Sequence, residues 1–111
     1  LSASPAFSQK DDFIINWNCL NLSPNQAEQI RDIDYDWLET SSKILPKLHH
    51  YEIQLQQKLS DPRSNEKEIL ELQKKIFVEK ERLQKEALEN FLSKKRLLNE
   101  PQKAKLYKII K

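Results

Sequence analysis

Few residues in this chain have chemistry to offer. His49 and His50 are its only histidines, and Glu52 stands three positions after His49. Adjacent helical residues point about 100° apart, so the two imidazoles do not converge on one ion from a regular helix. His49 with Glu52 supplies two ligands, fewer than a protein metal site normally takes. His49, His50 and Glu52 are therefore weak metal candidates, and the chain has no Met and one Cys with which to extend the set. That cysteine, Cys19, has no partner for an internal disulfide. A small buried apolar residue is the first expectation for it, and a disulfide to another chain the second. Asp32, Asp34 and Asp36 alternate around Tyr35. On a helix they spread over different faces and form no carboxylate pair for acid–base work. No combination of Ser, His and Asp suggests a nucleophile. The sequence reads as non-enzymatic and calls for no cofactor.

Bulk composition narrows the field further. The 111 residues amount to one domain at most, with no Gly, five Pro, 32% charged residues and 38% hydrophobic residues. Without glycine, tight β-hairpins and phosphate-cradling loops lose their usual left-handed residue. Leu, Lys, Glu and Gln dominate, and all favour helix. So low an apolar fraction implies stripes along helices rather than one thick core. The net charge of +2 is too small to indicate nucleic acid, and acidic and basic residues interleave as on a solvated helix face. Lys103, Lys105, Lys108 and Lys111 form the one locally basic stretch, read as a solvated terminal helix. No segment approaches the ~20 apolar residues of a membrane span.

The spacing predicts an all-α protein. Residues 1–12 are expected to be a flexible N-terminus, with a single helical domain over 13–111. The run Phe13–Leu20 is expected to be a short helix or irregular segment, with Phe13 and Trp17 on one face. A first long arm begins at Leu22-Ser23-Pro24-Asn25-Gln26: Ser23 caps, Pro24 suits the first turn, Gln26 completes a capping box, and Leu22 staples against Ala27. Its apolar stripe is Ile30, Ile33, Trp37, Ile44, Leu48, Tyr51, Leu55 and Leu59, with steps of three, four and seven. Pro46 cannot donate to the carbonyl of Ser42, so a kink or break is expected near 42–46.

Residues 60–65 are the one clear turn, with Asn65 and Glu68 as a further capping-box pattern. A long unbroken helix follows from about 66 to 97, striped by Ile69, Leu72, Ile76, Leu83, Ala87, Phe91 and Leu98. The short turn makes the two arms an antiparallel hairpin. Leu98-Asn99-Glu100-Pro101-Gln102 then starts a short last helix, with Asn99 as cap and Gln102 in the box position. Seven apolar residues lie off the stripes: Leu38, Leu45, Leu70, Phe77, Val78, Leu88 and Leu92. They are expected to meet a second subunit or to line a surface for client proteins.

The pattern Leu-(Ser/Asn)-x-x-Gln thus occurs twice, at Leu22–Gln26 and Leu98–Gln102, before the outer segments of a helical hairpin. This arrangement resembles the Spy/CpxP family, whose signature is a repeated Leu-Thr-x-x-Gln. Ser23 and Asn99 stand where that family usually has Thr, and both keep the capping chemistry. The resemblance covers about residues 20–111. It implies a periplasmic protein with its signal peptide removed, forming a curved, cradle-like homodimer. It also implies ATP-independent chaperone or envelope-stress adaptor activity toward unfolded or envelope proteins or a sensor kinase. The alternatives are a metal-responsive sensor or buffer of the same fold, and a structural coiled-coil interaction module.

Overall fold

A computed structural model describes residues 15–110. It is all-helical, with no strand among the described residues. One 3₁₀ turn at Trp17–Leu20 precedes three helices: α1 (Pro24–Leu59), α2 (Glu66–Lys95) and α3 (Glu100–Ile110). The flexible segment expected over 1–12, and Phe13 with its place beside Trp17, lie outside the described residues. Pro46 does not divide α1, which continues as one helix on both sides of it. A proline removes one hydrogen bond, and the rest of the ladder is enough to carry the helix through. Just ahead of it, the Ser41 and Ser42 hydroxyls donate to the carbonyls of Leu38 and Glu39, at 3.2 and 2.7 Å.

The described residues fall into two compact units. The first holds the described residues up to Trp37 together with those from Ala87 onward, and the second is Leu38–Glu86. Both long helices contribute to both units.

The second unit is a helical hairpin. Near the turn Lys58 pairs with Glu68, and farther from it Glu52 pairs with Lys80 and Lys47 lies beside Glu79. Residues before the turn thus meet residues about equally far beyond it, so the arms are antiparallel. The stripe residues Ile44, Leu48, Leu72, Ile76 and Leu83 are buried between them. Leu59, at the end of the predicted stripe, is exposed because the chain turns there. The turn is built from short polar side chains. Ser60 Oγ donates back to the Gln56 carbonyl at 2.8 Å, and Asp61 accepts from the Arg63 amide at 2.9 Å. Asn65 caps α2 by accepting from the Lys67 amide at 2.7 Å. The expected reciprocal partner, Glu68, instead accepts from Lys58 across the hairpin at 3.1 Å.

The first unit joins segments from both ends of the chain. Leu20, Leu98 and Leu106 form a buried cluster, with Ile15, Trp17, Leu22 and Phe91 packed against it. Leu22 and Leu98, the leading residues of the two motif copies, therefore meet in one core. Leu22 serves this core rather than acting merely as a local staple. Asn21 turns the chain from the 3₁₀ segment into α1 with φ 57° and ψ 53°. In a chain without glycine, Asn is the residue that reaches the left-handed region at least cost. Cys19, expected to be buried, is exposed. It lies on the outer side of a single 3₁₀ turn whose inward position is taken by Leu20.

Candidate functional site

The two motif copies form reciprocal capping boxes. At the first, the Ser23 amide donates to Gln26 Oε1 at 2.9 Å, and the Gln26 amide donates to Ser23 Oγ at 3.1 Å. At the second, the Asn99 amide donates to Gln102 Oε1 and the Gln102 amide to Asn99 Oδ1, both at 2.9 Å. A capping box uses only the oxygen of its glutamine. The free Nε2 groups then join the two copies. Gln26 Nε2 donates to Gln102 Oε1 at 2.9 Å, and Gln102 Nε2 donates to Gln26 Oε1 at 3.0 Å.

Each amide has one donor left, and both are used alike. Gln26 Nε2 donates to the carbonyl of Leu97 at 2.7 Å, the residue just before the second motif. Gln102 Nε2 donates to the carbonyl of Asn21 at 3.1 Å, the residue just before the first. Every N–H and both oxygens of the glutamine pair are thus satisfied, in an arrangement that exchanges with itself when the copies are swapped. Gln102 is buried and Gln26 partly so. Glutamate would complete each box equally well but has no N–H to cross between them, which is the physical reason both copies carry Gln.

Beside this clasp, in the same unit, lies a second polar group that the sequence reading does not anticipate. Lys94 is buried and donates to Asp34 Oδ1 at 2.7 Å. Asn90 Nδ2 donates to the same oxygen at 3.1 Å and to the Ile33 carbonyl at 3.4 Å. The Lys94 ammonium also lies 4.6 Å from the centre of the Trp17 ring, within cation–π range. Trp17 and Phe91 are tilted by 59° with centroids 6.0 Å apart, within the range of aromatic pairing. Asp34 thus acts as a cross-helix ion-pair partner, apart from Asp32 and Asp36.

The remaining candidates are not drawn together. His49 and His50 are exposed. His50 packs on Tyr51, with ring centroids 6.2 Å apart. Glu52 faces Lys80 at 3.8 Å. No group of three or more His, Cys, Asp or Glu suited to a metal ion occurs among the described residues. Of the seven off-stripe apolar residues, Leu38, Leu45, Leu70, Phe77, Val78 and Leu88 are exposed, and Leu92 is partly buried.

Comparison with protein-family models, with curated protein sequences and with solved structures finds no match.

Proposed function

We propose that this chain is a non-enzymatic protein-binding module that holds unfolded or partner proteins on the exposed faces of its helices. One observation carries the reading. Among the described residues, twelve large hydrophobic side chains are exposed while nine hydrophobic residues are buried. An excess of exposed over buried apolar groups, set among charges of both signs, suits weak and repeated contact with apolar segments of other chains. Individually small contacts release without nucleotide hydrolysis. The doubled motif adds support, because a repeated Leu-x-x-x-Gln that closes on itself resembles the Spy/CpxP signature. Through that resemblance, ATP-independent chaperoning or stress-adaptor binding in the periplasm is the specific form we propose. No helix among the described residues is long and apolar enough to cross a membrane.

The direct experiment is aggregation suppression. Light scattering of a thermally unfolding client, without ATP, is expected to fall as this protein is added. Replacing Leu70 and Phe77 together by Ser should weaken the effect severalfold, since both are exposed and neither holds the core. Undiminished aggregation at severalfold molar excess would sink the reading.

A second copy of the chain is the other partner in the proposal. Leu38, Leu45 and Leu59 fall at multiples of seven along α1, as do Leu70 and Phe77 along α2, and all five are exposed. That spacing is the repeat of a helix seam. Sedimentation is expected to give a dimer at micromolar concentration, whereas a monomer would remove the second copy from the proposal.

A further inference from the structure

We infer that the first unit contains a binding site for a small planar carboxylate, lodged in the cavity beside Lys94. The cavity measures about 170 Å³; Trp17, Trp37, Phe91, Asn90, Lys94 and Ala87 are among the residues that wall it. That is close to the ~150 Å³ that suffices to hold a benzene ring. Three aromatic side chains line a space of this size, and Trp17 and Phe91 already pack against each other at a tilt of 59°. A third flat ring continues such packing with its own faces and edges.

Lys94 selects the charge of the occupant. Its ammonium has three N–H donors, and the Lys94 side chain as a whole is only 9% exposed. One donor goes to Asp34 at 2.7 Å, and the ring face of Trp17 takes part of the charge at 4.6 Å. No other acceptor serves the ammonium among the described residues. A carboxylate on the ligand supplies one, as a charge-assisted hydrogen bond in a water-poor setting. A cation in the same space would meet the ammonium head on, and a neutral ring would leave the donor as it is. Asp34 is not a wall of the cavity. Its side chain is about half exposed, at 48%, and Asn90 shares its oxygen, so it steadies the lysine without filling the space.

The test is calorimetric titration of the full chain with benzoate, benzyl alcohol and benzylammonium, three probes of one size and different charge. Benzoate is expected to bind saturably at one site, about ten-fold or more tighter than benzyl alcohol, the increment of a single charge-assisted bond. Benzylammonium should give no saturable heat. Lys94→Gln should weaken benzoate by a similar factor with helicity by circular dichroism unchanged, while Lys95→Gln, outside the cavity, should leave it as it was. Should Lys94→Gln fail to fold, Ala87→Leu fills the cavity and is expected to abolish benzoate binding with Lys94 intact. Equal affinity for benzoate and benzyl alcohol overturns the assignment. So does benzoate binding that survives Lys94→Gln or Ala87→Leu, or the absence of saturable benzoate binding.

Discussion

Gln102→Glu is expected to destabilise the protein nearly as much as Gln102→Ala, by about 2–4 kcal/mol in each case, read from urea unfolding followed by circular dichroism. The comparison separates two roles of one side chain. Alanine removes everything: the cap on the Asn99 amide, the exchange with Gln26 and the bond to the Asn21 carbonyl. Glutamate keeps the cap, since a capping box takes Glu as readily as Gln. It loses both donors and places negative charge against Gln26 Oε1 and the Asn21 carbonyl oxygen. A cap alone is worth about 1 kcal/mol, and each buried polar group left without a partner costs about 1–3 kcal/mol. Most of the loss therefore comes from the broken crossing. A Glu variant as stable as the parent would show that the two boxes cap their helices independently. Combining Gln26→Ala with Gln102→Ala should cost clearly less than the sum of the two, because the same bonds are removed by either.

Glu79→Leu is expected to act in the opposite direction, raising stability by about 1–3 kcal/mol. Glu79 is buried on the inner face of α2, between Ile76 and Leu83. Its nearest cations are at the edge of ion-pair range, Lys47 at 4.0 Å and Arg82 at 3.9 Å, and both are about half exposed. Oε1 has no hydrogen-bond partner. The carboxylate gives up water for two long, screened contacts, while Lys47 and Arg82 stay solvated when it is gone. Leucine would complete the run of Leu72, Ile76 and Leu83 with apolar surface. The urea midpoint should rise with an unchanged slope. A lower midpoint would mean that the two cations repay the desolvation of the carboxylate.

Glu79 also marks where the sequence could be read and where it could not. The helices, the turn at 60–65 and both capping boxes are local matters, set by caps, prolines and 3.6-residue periodicity, and they are legible in order along the chain. The predicted stripes contain three seven-residue steps: Trp37 to Ile44, Ile76 to Leu83, and Phe91 to Leu98. A seven-residue step on a helix passes over one inward position. Ser41, Glu79 and Lys94 occupy those positions, and all three are buried. The gaps gave the signal, but a polar residue in an apolar stripe has no visible partner until the facing helix is known. Asp34 and Lys94 are sixty residues apart, and nothing local in either segment names the other. The same holds for the glutamine crossing: each box is visible alone, whereas the exchange between them needs the fold. Cys19 failed for a related reason. Composition favours burying a cysteine, but its place depends on which side of one 3₁₀ turn the core lies.

The clasp between Gln26 and Gln102 joins residues 76 apart in the chain, and its outer bonds span 71 and 81. Closing a loop of that length costs more entropy than closing the six-residue turn between α1 and α2, and the cost comes before any contact offsets it. The hairpin of the second unit is therefore expected to form before the two motif copies meet. On unfolding the order runs in reverse. The glutamine exchange and the Leu20, Leu98 and Leu106 cluster are expected to give way together, so native-state hydrogen exchange should show amides at both ends of the described chain opening at a common free energy below that of the hairpin.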